Sequence, residues 1–202
     1  MSLERIDQAT GYDLGRAVLR QEAETLVRLA DALDAPFWEI ARLIANSPGL
    51  VWVTAVGTSA AVGQRFAHVL TDCGARAMFL SPDQGLHGHL GALAAGEVLI
   101  AISRGGESAE VVQMAQIAGR RGLTTVAFTA APEASLARSC AQRLMIPSPD
   151  EYELGGYCAT ASSLAAAAMC DALCAVVLQL TGYSRAAFQA THPGGAVGRA
   201  SD

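Results

Sequence analysis

At 202 residues, with 14 Lys+Arg against 19 Asp+Glu and a formal charge of -5, the chain is long enough for one domain with a continuous core and has no excess of cations to neutralise phosphates. All 14 cations are arginine, because no lysine occurs; this excludes Schiff-base chemistry, lysine-anchored pyridoxal phosphate and a P-loop lysine. Aromatic residues make up only 5%, and the longest basic run is Arg120-Arg121, so nucleic acid is not an expected partner.

The N-terminus carries charges where a secretory peptide would place its apolar segment, which predicts no export signal and a cytoplasmic protein. Residues 11–32 space Leu14, Val18, Leu19, Leu26, Val27, Leu29 and Leu33 by threes and fours among Arg and Glu, the pattern of an amphipathic helix. A second helix should follow Pro36 and run to about Ala45, stopped by Asn-Ser-Pro-Gly. Strand-like runs then alternate with helical stretches. Leu50–Val56 feeds a helix from Ala60 to about Cys73, Ala77–Leu80 is a second strand, and Glu97–Ser103 leads into a helix from Glu107 to Arg121. Leu123–Thr129, a short helix near Ser135, and Gln142–Ile146 complete the series. This alternation predicts an α/β fold: a five-stranded parallel sheet with helices on both faces and its site at the carboxyl ends of the strands.

Ala159–Leu180 is apolar enough to span a bilayer, but Asp171 near its middle favours a buried helix, so no membrane association is expected. The expected organisation is N-terminal helices over residues 1–48 forming one compact unit with a domain over 49–202. Five cysteines without C-x-x-C spacing read as free thiols in a reducing compartment.

Three loops combine glycine or alanine with hydroxyls: Gly57-Thr58-Ser59, Ser103-Arg104-Gly105-Gly106-Glu107-Ser108, and Thr160-Ala161-Ser162-Ser163. Each suits helix N-capping; together at one sheet edge they also suit a phosphate. Gly57–Gly63 lacks the spacing of a dinucleotide loop. Glu107 and Glu110 open a helix, where carboxylates also simply favour the dipole. Glu151 and Glu153 lie in a long loop, Pro147–Cys158, that could wall a site. His87 and His89 have His-x-His spacing without further ligands placed, so no metal and no cofactor is expected. His192 opens a His-Pro-Gly-Gly turn near the C-terminus.

The stretches 86–91 (LHGHLG), 98–110 (VLIAISRGGESAE), 169–173 (MCDAL) and 191–199 (THPGGAVGR) resemble the sugar isomerase (SIS) domain, and more closely the arabinose-5-phosphate isomerase group. The resemblance runs from about residue 11 to the end. It implies a three-layer α/β/α sandwich, a homotetramer, and a phosphate held by serine loops. Carried onto this chain, it implies Ser59, Ser103 and Ser108 as phosphate ligands, Glu110, Glu151 and His192 as the catalytic set, and His87 lining the site. It further implies that His192 enters a neighbouring subunit's site. Two positions depart from the pattern. Thr58 stands where the isomerases carry Lys or Arg, and Gly105 where they carry a second serine; Arg104 could supply the missing cation. The paired CBS domains of longer relatives are not expected here. The expected activity is aldose–ketose interconversion of a phosphorylated sugar, first arabinose 5-phosphate and ribulose 5-phosphate. Two carboxylates and a histidine meet its proton-transfer needs. A non-catalytic sugar-phosphate sensor is the rival, favoured by the loss of a cation at Thr58. Finally, 51% hydrophobic against 16% charged residues is more apolar surface than a lone domain needs to bury, which also predicts oligomerisation.

Overall fold

The computed structural model describes residues 6–147 and 152–194. Glu151 and the end of the His-Pro-Gly-Gly motif therefore lie outside the described residues. Five short strands, β1 (Val51–Ala55), β2 (Ala77–Phe79), β3 (Val98–Ile102), β4 (Thr124–Thr129) and β5 (Gln142–Met145), form one sheet in the order β2-β1-β3-β4-β5. Every pairing is parallel, with Val53 opposite both Phe79 and Ile100, and Ile100 opposite Val126.

The central strands are continuous apolar runs because both of their faces are covered. Strand residues alternate between two cores. Val51, Val53, Val98, Ile100, Ile102, Val126 and Phe128 face one, together with Phe66, Met169 and Leu173 from the helices. Trp52, Leu99, Ala101 and Ala127 face the other, with Val111, Met114, Ala115 and Leu136. The first layer is built from α1 (Gln8–Asp31), α2 (Ala35–Ala45), α3 (Gly57–Asp72) and α7 (Ala161–Thr181); the second from α4 (Pro82–Leu86), α5 (Ala109–Arg120) and α6 (Ser135–Ser139). The result is a three-layer α/β/α sandwich. Leu29 of α1 and Phe37, Ile40 and Ile44 of α2 share the first core with the sheet.

The apolar tract behaves as a core helix. In α7, Ala165, Met169, Leu173 and Val177 are buried, and its alanines let it lie close to α1, α2 and α3. Asp171 takes a bidentate ion pair from Arg65 of α3, at 2.6 and 3.0 Å. α7 is nevertheless one helix long and apolar enough to cross a membrane.

Three elements were not expected from the sequence: α4, a one-turn 3₁₀ helix at His89–Ala92, and α8 (Arg185–Thr191). α4 and α8 are short and owe their starts to local caps, Ser81 accepting from the amide of Gln84 and Ser184 from that of Ala187. α3 begins earlier than expected, at Gly57, whose φ of +59° only glycine adopts easily. α5 begins later, at Ala109, because the Glu107 carboxylate accepts from the Ser135 amide at 2.8 Å and so joins the preceding loop to α6.

Candidate functional site

The chain leaves β1 through α3 into the first layer and β3 through α5 into the second. Between the carboxyl ends of β1 and β3 the sheet therefore has its switch point, where a crevice must open. A cleft lies there. Thr58 and Ser59 line it from the first turn of α3, Arg104 from the loop after β3, Thr129 from the end of β4, and Ser162 and Ser163 from the first turn of α7. All three hydroxyl-bearing segments thus meet at one cleft. Val56, at the N-cap of α3, makes no side-chain hydrogen bond, so the positive end of a 16-residue helix faces the cleft without a side-chain cap.

The loop after β3 is rigidly built. Gly106, at φ +67°, packs so tightly that a Cβ there would sit 2.5 Å from that of Ala134. Ser103 is buried; its Oγ accepts from the Gly106 amide at 3.2 Å and pairs with Ser108 Oγ at 3.3 Å. Two of the expected phosphate ligands are therefore brought together, but within the loop itself. The Arg104 carbonyl accepts from the Ala130 amide and from Thr129 Oγ1, both at 2.9 Å, which fixes the backbone from which the guanidinium reaches the cleft.

Opposite Arg104 stands Glu153, 5% exposed. Its carboxylate accepts from the Thr160 amide, just before α7, at 2.6 Å and from the Ser162 amide in the first turn of α7 at 3.2 Å, and lies 3.6 Å from Arg104 Nε. Burial by itself raises its pKa, but the hydrogen bonds from Ser162 and Thr160 and the Arg104 charge outweigh burial and hold it below the usual carboxylate range. Glu153 is thus an ionised buried carboxylate that caps α7 and faces Arg104. The sequence marks it only as part of a loop. Its signal there is a carboxylate a few residues before a Thr-x-Ser helix start.

Glu110 and His87 line a second hollow at the same sheet edge, with Val56 and Asp83. Both are exposed. Among the described residues, no three His, Cys, Asp or Glu side chains gather where they could hold a metal ion. His192 is not brought to the cleft of its own chain. Following α8, it stacks on Phe188 with ring centres 3.8 Å apart, donates from Nδ1 to the Phe188 carbonyl at 2.8 Å, and sets Nε2 3.2 Å from Asp72. Asp72 ends α3, a helix that starts at the cleft, so His192 lies at the far end of that helix.

Comparison with known proteins agrees with this architecture. Residues 44–176 match the SIS domain family model. The arabinose 5-phosphate isomerase KdsD of Salmonella typhi is 32% identical over 192 residues, covering 94% of this chain and 58% of its own length; this chain thus spans little more than half of that relative. Among solved structures, a Listeria monocytogenes protein superposes with a TM-score of 0.90 at 26% identity, covering 94% of this chain and all of its own. An Escherichia coli CFT073 protein in complex with arabinose 5-phosphate has a TM-score of 0.87 at 25% identity, covering 93% of this chain and all of its own. With the family model matched over residues 44–176 and the fold superposing on these solved structures over more than nine tenths of the chain, this protein belongs to the SIS domain family.

Proposed function

We propose that the protein is a phosphosugar aldose–ketose isomerase, interconverting arabinose 5-phosphate and ribulose 5-phosphate through an enediol. The observation that carries this reading is the convergence of Thr58, Ser59, Ser162, Ser163 and Arg104 on one cleft at the switch point. There an uncapped helix start, hydroxyls and a cation suit a phosphate. The similarity to the KdsD isomerase and to the protein solved with arabinose 5-phosphate supports the choice of sugar.

In this reading the phosphate end of the open-chain sugar is anchored at the cleft, with Ser103 and Ser108 shaping the anchoring loop. Anchoring makes the proton transfers effectively intramolecular. Glu151 takes the proton from the carbon next to the carbonyl, and Glu110, beside His87, orients a substrate hydroxyl. His192 assists ring opening and proton relay from a neighbouring subunit of a cytoplasmic homotetramer. Its place at the far end of α3 and the exposed Leu14, Leu19, Val27 and Trp38 on α1 and α2 support a site shared between subunits. Light scattering should return a tetramer; a monomer at micromolar concentration would remove His192 from the mechanism.

A sensor that binds the same sugars without turnover is favoured by Thr58 and Gly105, which lack the cation and hydroxyl the resemblance implies. Solvent deuterium decides between the readings. The isomerase incorporates it at the carbon next to the carbonyl of ribulose 5-phosphate, and Glu151→Gln abolishes incorporation while leaving sugar binding intact. Binding without incorporation from any pentose or hexose phosphate would establish the sensor.

A further inference from the structure

We propose that Asp72 latches the C-terminal arm onto its own subunit, and that His192 must leave this latch before it can act in a neighbouring cleft. The latch stands on contacts within this chain; its consequence for turnover rests on the isomerase reading.

Three observations carry it. First, both ring nitrogens of His192 are taken. Nδ1 donates to the Phe188 carbonyl at 2.8 Å, and Nε2 lies 3.2 Å from Asp72 Oδ1. In this position the imidazole offers a substrate neither a proton acceptor nor an unengaged donor. With Nδ1 donating, Nε2 meets a carboxylate favourably only when it also carries a proton. Second, the far end of α3 is built to attract such a cation. Asp72 is the last residue of that helix, so its charge adds to the negative end of the helix dipole. A second imidazole, that of His68, sets Nε2 3.5 Å from the other oxygen of the same carboxylate. The His192 and Asp72 side chains are only 27% and 22% exposed, and the Phe188 ring covers one face of the imidazole. A pair shielded in this way is screened less than a fully solvated one. Third, the arm can undock without opening the core. α8 is seven residues long and buries none of them, and short elements without buried side chains open locally at small free-energy cost. At its root the arm stays anchored by Tyr183, packed so closely on Gly74 that a Cβ there would lie 2.8 Å from the tyrosine's own. The tip, at His192, is therefore the end that Asp72 controls.

The test is hydrogen exchange read by mass spectrometry on the purified full chain, with melting curves to check that each variant folds. Asp72→Asn keeps the shape and removes the charge. It should speed exchange of the α8 amides about 3- to 10-fold while α7 exchanges as in the parent. His192→Ala should have a similar effect, and the double variant should exchange no faster than His192→Ala alone. Parent-like exchange in both single variants would overturn the latch. Its consequence is read in turnover of ribulose 5-phosphate, a readout that a merely structural contact would not raise. If only undocked His192 is competent, Asp72→Asn should increase kcat several-fold with KM unchanged. A kcat left unchanged or lowered towards that of His192→Ala would overturn the proposal, because Asp72 would then not be withholding the ring. Faster exchange in both variants, with no turnover by parent or variant, would uphold the latch and overturn the isomerase reading.

Discussion

The two edges of the sheet each hold a buried, ionised glutamate, and the protein uses them differently. At the amino edge, Glu97 accepts from the Leu50 amide at 3.0 Å, the Trp52 indole at 2.7 Å and the Ala94 amide at 2.9 Å. Neighbouring Gly49 leaves it room, since a Cβ there would sit 2.7 Å from its Cγ. Glu97 thus ties β1 to β3, and all of these partners are structural. At the carboxyl edge, Glu153 caps α7 and turns its remaining face to an arginine that lines a cleft. In both cases burial raises the pKa and hydrogen bonds together with a nearby arginine charge, Arg76 or Arg104, bring it below the ordinary carboxylate range. The same device, a carboxylate kept charged by backbone amides, serves as a clamp where its partners are all internal and as a mount for a cation where one partner faces a cavity.

Removing the two carboxylates gives the largest contrast. Glu97→Ala leaves a buried indole N–H and two amides without their acceptor and should cost about 3–5 kcal/mol in urea unfolding. Glu153→Ala should cost about 1–2 kcal/mol, the range for loss of a helix cap. Equal costs would break the comparison and make Glu153 a second clamp. Within the cleft loop, Gly106→Ala should cost about 2–4 kcal/mol, because it combines a left-handed backbone with contact against Ala134. Its phosphate affinity should fall with the distorted loop, measurable by calorimetry on whatever fraction folds.

Acid unfolding sharpens the comparison further. The folded pKa of each glutamate lies below the unfolded value of about 4.5, so the unfolded chain binds the proton more readily. The stability they contribute is complete above that value and is lost as pH falls through the folded pKa values. Glu97→Gln and Glu153→Gln should each flatten the loss of melting temperature below about pH 4.5, and only Glu153→Gln should also change phosphate affinity at neutral pH. The smallest effect belongs to Gly105→Ser. A Cβ at Gly105 meets nothing within 4 Å, so stability should stay within about 0.5 kcal/mol of the parent. The added hydroxyl should tighten phosphosugar binding if this face of the loop meets the ligand.

The layered architecture was legible because it is written locally. Leu50–Val56 and Glu97–Ser103 are apolar runs too short for helices, and the helices between them carry their own spacing and stop signals. α4 and α8 escaped because one or two turns leave too little periodicity to detect, and their serine caps are common in loops. Gly57 reads as loop although it starts α3, since a helix that begins without a side-chain cap carries no sequence signal. The candidate site was legible in part: the hydroxyls of Thr58 and Ser59 and the motif around Ser103 mark it.

By itself, then, the sequence determined the order of strands and helices, the family resemblance, and which loops bear hydroxyls, because these depend on neighbours along the chain. Only the tertiary structure decided that Arg104 lines the same cleft as Thr58, that Glu153 is the acid facing it, that Ser103 and Ser108 are joined to each other, and that His192 lies against Asp72, away from the cleft. Most of these contacts join residues far apart in sequence. A side chain's direction and charge state follow from what folding packs beside it, and the parallel sheet, by sending α3 and α5 to opposite faces, brings those residues together.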